Sequence, residues 1–168
     1  MKTITALTAS IGILGLLTAG LAAPHAAPTA FPLAGTWSLV AADVIHPDGT
    51  RGRDYGAAPK GLLLVDAAGH YSLQIFKSER PRFAAGDKAA GTDAEYKQAV
   101  LGASTHYGTM ALDPATGTLT FRIEASSYPN WEGATQTRRY ELKGAELSYS
   151  VSPRPNGDTP ISVWRRLD

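Results

Sequence analysis

From Gly35 to Leu167 the apolar residues recur mostly at every second position, in short runs, and each run is stopped by a turn. Two-fold alternation of this kind marks strands half-buried on one face. The stops are Pro47-Asp48-Gly49, Asp66-Ala67-Ala68-Gly69, Asp113-Pro114-Ala115-Thr116-Gly117, Lys143-Gly144 and Pro155-Asn156-Gly157-Asp158. Each puts glycine or proline where a reversal needs a positive or a preset φ. The pattern predicts eight strands, at 35–44, 61–65, 70–76, 105–112, 118–125, 135–142, 146–151 and 162–167.

One stretch breaks the alternation. Thr92-Asp93-Ala94-Glu95 is a capping box, in which the threonine hydroxyl accepts an amide bond and the glutamate reaches back. Tyr96, Val100 and Leu101 follow at helical spacing, which predicts a short helix over 93–103 on one end or flank of the sheet. Consecutive strands joined by hairpin-length turns favour a closed antiparallel barrel, because closure removes exposed strand edges. A two-layer sandwich is the alternative architecture.

At 168 residues the chain holds one domain with a real core. It has no cysteine, so disulfides, thiol nucleophiles and cysteine-ligated zinc are excluded. Met1 to Ala23 carries one early charge, Lys2, then an apolar stretch from Ile11 to Leu21 and small residues, the pattern of a secretory signal peptide. Cleavage is expected after Ala22, with Ala23 and Ala30 as alternatives. An uncleaved anchor is disfavoured because the apolar stretch is short for a bilayer span. Residues 23–32, rich in proline and alanine, read as a flexible leader, and 33–168 as the folded domain. Loss of Lys2 leaves 15 basic residues against 15 acidic, so no basic surplus exists for nucleic acid. Export predicts a periplasmic or extracellular protein.

Gly35-Thr36-Trp37 opens the first strand with a G-x-W triplet, and further segments follow in order: "PKGLLLVDAAGHYSLQIF", "RPRFAAGDKAAGTDAEY", "SSYPNWEG", "TRRYEL" and "VWRRL". Together they resemble the bacterial and fungal lipocalin-like domain family, a resemblance that covers 33–167. It implies an all-β, lipocalin-like barrel of about eight antiparallel strands around a cavity. It implies little chemistry, since fold does not dictate function.

On the first strand Trp37, Leu39 and Ala41 form one set, with Trp37 expected to plug the closed end. On the third, Tyr71, Leu73 and Ile75 are expected to face the core, although Ser72 and Gln74 can equally line a lumen. His106 and Tyr107 fall where a barrel mouth is expected, and either side chain can anchor a ligand or move a proton. Arg82 lies in a long connection, where it either clamps an anion or ties down its loop through Asp87. In Tyr128-Pro129-Asn130-Trp131 the proline makes a rigid corner, so the two aromatics are expected at a pocket rim. Glu124 faces Arg138 or Arg139 as a possible cross-strand ion pair.

The residues expected to bind a small, mainly apolar ligand are Tyr71, His106, Tyr107, Tyr128, Trp131 and Arg139. The alternative is an isomerase, cyclase or lyase with His106 as base and Arg82, Tyr107 or Asn130 polarising an oxygen. No P-loop, dinucleotide fingerprint, G-x-S-x-G elbow or H-E-x-x-H helix is present, and the histidines at 25, 46, 70 and 106 lack metal-ligand spacing. No cofactor is therefore expected, with haem through His106 or His70 the remaining option.

Overall fold

In the computed structural model, which describes residues 30–167, every expected strand is present and pairs with its neighbours in sequence. The strands are β1 (Gly35–Ile45), β2 (Arg51–Gly52), β3 (Lys60–Val65), β4 (His70–Phe76), β5 (Ala103–Asp113), β6 (Thr118–Ser126), β7 (Thr135–Lys143), β8 (Glu146–Ser150) and β9 (Thr159–Arg166). They run in the order β2-β1-β3-β4-β5-β6-β7-β8-β9, and β1 also pairs β9, which closes the sheet into an eight-stranded antiparallel barrel. The sandwich alternative is thereby excluded. The ninth strand, β2, is a two-residue rung on the far end of β1, pairing Val44 with Gly52 and Ile45 with Arg51. It is too short to show a two-fold pattern, which is why the sequence does not announce it.

Hairpin geometry makes the two ends of the barrel unlike. The turns after β3, β5 and β7 are tight, and in the first of them Asp66 Oδ1 accepts from the amides of Ala68 and His70 while Gly69 takes φ 88°. That φ is open to glycine and strained for other residues. The connections after β1, β4, β6 and β8 are longer and all emerge at the opposite end. Closure thus gathers the four longer connections around one mouth.

The second of these carries the helix α1 (Asp93–Leu101), two residues shorter than expected because β5 begins at Ala103. Its capping box forms: the Glu95 amide donates to Thr92 Oγ1 at 3.3 Å, and the Thr92 amide donates to Glu95 Oε2 at 2.7 Å. Glu95 Oε1 also accepts from the Ala84 amide at 2.6 Å, fastening the preceding loop, and Phe83 packs edge-on against Tyr96. Asp87, by contrast, caps a short 3-10 turn through the Ala89 amide rather than holding Arg82. No residue of α1 is buried.

The inward face is set strand by strand. On β4, Tyr71, Leu73 and Ile75 are buried, while Ser72 is only partly covered and Gln74 is exposed. On β1 the expected set needs correction. Register against β9 shifts between Leu39 and Ala41, so the extra residue of a bulge turns Ala42 inward in place of Ala41, followed by Val44. Trp37 lies where it was expected, fully buried, with its Nε1 donating to Leu33 O at 2.9 Å. The Arg166 guanidinium lies 4.1 Å from the Trp37 ring centroid and donates to the carbonyls of Ala34 and Pro32. This end is closed.

The expected signal peptide, 1–22, lies outside the described residues. Of the expected leader, Phe31 is already tied in: its amide donates to Ala67 O at 2.9 Å and its ring packs on the core. Among the described residues no helix is long and apolar enough to cross a membrane.

Candidate functional site

The barrel is packed solid at its floor, where Trp37, Leu63, Leu119, Phe121, Leu147 and Trp164 are all fully buried. Above that layer a cavity of about 250 Å³ remains. Leu73, Ile75, Val151 and Ile161 give it apolar walls, and His106, Trp131, Gln136 and Arg138 add polar and aromatic groups. It shares Asp54, Tyr55, Ser104, Trp131 and Arg154 with a wider depression of about 530 Å³ at the mouth. Tyr128 and the α1 residues Val100 and Leu101 form the outer rim, with roughly half or more of each side chain exposed. A mostly apolar hollow with a few convergent polar groups is the usual form of a small-molecule site.

His106 sits deep in this wall and is only 4% exposed. Tyr71 OH lies 2.8 Å from its Nδ1. One proton is shared across this bond, donated by the phenol or by Nδ1 according to the imidazole tautomer. Burial, then the charge of Arg138, lowers the His106 pKa to about 3. Burial likewise pushes the Tyr71 phenol up. At neutral pH both groups are therefore uncharged, and so weakly basic an imidazole is a poor proton acceptor. Edge-on ring contacts continue upward from Phe121 to His106, from His106 to Trp131 and from Trp131 to Tyr128, making an aromatic wall from floor to rim.

Arg138, on β7, is a buried cation on the cavity wall at 6% exposure, and Asp43, at 8%, is a buried acid of the same wall. The Arg138 guanidinium lies 4.2 Å from the Phe121 centroid and 5.0 Å from that of Tyr149, two rings that themselves meet edge-on. One terminal nitrogen donates to Gln136 Oε1 at 2.8 Å, whereas Nε is buried without an acceptor. No carboxylate pairs with it among the described residues. The acids near the cavity are engaged elsewhere: Asp43 Oδ2 with Arg51 Nε at 2.6 Å and Asp54 Oδ2 with Arg154 at 2.7 Å. Burying an unpaired ion costs on the order of several kcal/mol. Stacking on two desolvated rings offsets about 2 kcal/mol or more of that.

Of the residues singled out in the sequence, the fold brings His106 and Trp131 to the cavity wall and sets Tyr71 directly behind His106. Tyr128 stands at the rim. Tyr107, one position after His106, points outward with 51% of its surface exposed, and Arg139 is exposed on the outer face of β7. Asn130 is exposed in a 3-10 turn (Pro129–Trp131) with its Nδ2 donating to Tyr128 OH, and Arg82 is exposed in the loop before α1. His106, Tyr107, Arg82 and Asn130 therefore do not converge on one point, as proton transfer and oxygen polarisation would require. Glu124 forms no ion pair with Arg138 or Arg139, because β6 and β7 stop pairing at Arg122 and Thr135. His70 lies outside the barrel with its Nδ1 2.7 Å from Asp66 Oδ2.

Arg138, Gln136, Tyr55 and Arg154 were not among the expected site residues. For the first two a signal existed: counting back in twos from Leu142 at the Lys143-Gly144 hairpin gives Tyr140, Arg138 and Gln136 on one face. Tyr55 and Arg154 sit in connections whose path is not encoded by periodicity.

A family model described as a lipocalin-like domain matches residues 34–167. No curated protein matches the chain significantly. Among solved structures, a lipocalin-like protein from Bacteroides uniformis is similar at 16% identity and TM-score 0.42, covering 80% of this chain and 98% of its own. An uncharacterized protein from Bacteroides eggerthii is similar at 14% identity and TM-score 0.40, covering 79% and 98%. A mutant of the fluorescent protein UnaG is similar at 16% identity and TM-score 0.34, covering 80% and 96%.

Proposed function

The chain belongs to the lipocalin-like domain family, and on that premise we propose that it is an exported carrier which holds a small, mainly apolar molecule in its barrel. One observation carries this reading: the space of about 250 Å³ between the aromatic wall and the β9 strand, left unfilled above a fully packed floor. A core meant only to be stable has no reason to keep such a hollow, since unfilled volume forfeits packing contacts. The volume lies just below the usual range for drug-sized ligands, which favours a compact guest. The N-terminal residues 1–22, read as a signal peptide, support export to the periplasm or the outside.

The test uses the protein's own tryptophans. Of its three, Trp37 and Trp164 are sealed in the floor and Trp131 lines the cavity. Ligand entering the barrel changes Trp131 emission, and Trp131→Phe abolishes that change while the other two continue to report a folded core. Native mass spectrometry of protein from its own host identifies the guest as a mass that leaves on denaturation. A protein that carries no such mass and gives no Trp131 response to a panel of compact hydrophobic compounds refutes the reading.

A further inference from the structure

We propose that the guest is an anion, a small organic carboxylate whose carboxyl group is received by Arg138 at the bottom of the cavity. The proposal rests on the carrier reading and adds to it the chemistry of the bound molecule.

The argument is one of missing partners. Arg138 is more than nine-tenths buried, lines the cavity, and has Nε without an acceptor. Its single hydrogen bond goes to a neutral amide, Gln136 Oε1. The Tyr149 ring lies 5.0 Å from the guanidinium, and its hydroxyl is also buried without a partner. Buried polar groups in native proteins are almost always satisfied, so a buried cation left open on a cavity wall marks a place where something else supplies the acceptor. Among the described residues no carboxylate reaches Arg138: Glu124, on β6, forms no ion pair with it. Asp43 and Asp54 are each held by another arginine, and His106 is neutral with its Nδ1 already bonded to Tyr71 OH.

The missing group must therefore bring a negative charge and acceptor oxygens. A carboxylate matches the planar fork of a guanidinium, and charge-assisted bonds of this kind are about twice as strong as neutral ones. The rest of such a molecule then lies along Leu73, Ile75 and Trp131 toward the mouth. Arg154, at the rim, adds a second positive charge on the way in, although its own partner Asp54 cancels much of it. A phosphate or sulfate with no apolar body would leave these walls uncovered.

The experiment is calorimetric titration of the full-length protein with matched pairs that differ only in the head group: phenylacetate against 2-phenylethanol, and octanoate against 1-octanol. The acids are expected to bind at least tenfold more tightly than their alcohols. Arg138→Met, which keeps the length of the side chain and removes its charge, should abolish that preference while the alcohols keep their affinity. Thermal melting gives an independent readout: the acids raise the Tm of the wild type and not of the variant. Without ligand, Arg138→Met should melt no lower than the wild type, because it removes an unsatisfied charge.

Equal affinity for acid and alcohol, or a preference for a matched amine, overturns the carboxylate while leaving the carrier reading in place. Equal binding also means that water alone satisfies Nε. Failure of every acid and every alcohol to bind overturns both. A large drop in the melting temperature of ligand-free Arg138→Met assigns the arginine to the core and likewise overturns the proposal.

Discussion

His106 is a titratable ring in surroundings that reject its proton, and the consequence for stability has a definite sign. The unfolded chain protonates this histidine near its ordinary value of 6.5, while the folded protein does so only at about 3. Between those two values the unfolded state binds more protons, so stability is complete above pH 6.5 and falls as the pH drops through the window. The slope is about 1.4 kcal/mol per pH unit at most for one such group. His46, whose bond to Asp158 raises its pKa, contributes in the opposite sense, with stability lost only above 6.5. It does not disturb the acidic limb. Urea titrations between pH 6.5 and 5 should therefore show a slope in the wild type that His106→Phe largely removes, whatever that variant does to absolute stability. A wild-type curve that is flat over this interval contradicts the burial of a neutral imidazole. Tyr71→Phe strips His106 Nδ1 of its hydrogen-bond partner and should cost roughly 1–3 kcal/mol in the same assay.

The elements differ in how firmly they are tied to the barrel. β5 and β6 approach so closely at their bulge that a Cβ on Gly108 would stand 2.0 Å from Arg122 O. Both atoms are backbone-anchored, so neither can swing aside. Gly108→Ala is expected to lower unfolding free energy by about 1–3 kcal/mol, the usual cost of forcing extra volume into a packed site. The helix α1 is the contrary case, since it buries no residue. Thr92→Ala removes its N-cap, an effect of about 1 kcal/mol on the helix. Amide exchange in 93–101 should accelerate while the global urea midpoint barely moves; a cooperative loss of the whole barrel would show that α1 is part of the core.

Most of these elements were legible in the sequence, because a hydrophobic alternation and a turn are both local. Tyr71, Leu73 and Ile75 announce their own face. Arg138 and Arg139 do not: as adjacent cations of the same type they are told apart only by counting the alternation back from the Lys143-Gly144 hairpin, and one step of register exchanges them. Bulges do the same on β1, where a single extra residue exchanges Ala41 for Ala42.

At the scale of the molecule the closed end and the mouth should differ in dynamics. The floor joins two buried tryptophans, the Arg166 stack and the tight turns; the mouth holds long connections linked by the exposed Asp54–Arg154 pair, a kind of contact worth little by itself. Native-state hydrogen exchange should therefore find 127–134 and 151–158 opening well below the free energy of global unfolding, and β1, β4 and β6 opening only with it. A bound guest is expected to slow exchange at the mouth and leave the floor unchanged.

The sequence alone determined that this chain forms about eight antiparallel strands with one capped helical insertion, because alternation, turn chemistry and capping act between residues a few positions apart. Only the tertiary structure decided that the sheet closes with β1 on β9, that Trp131 and His106 share one wall, and that Arg138 ends buried with no acid beside it. Those facts depend on which distant residues meet when the sheet closes, and on what is left unpaired once it has.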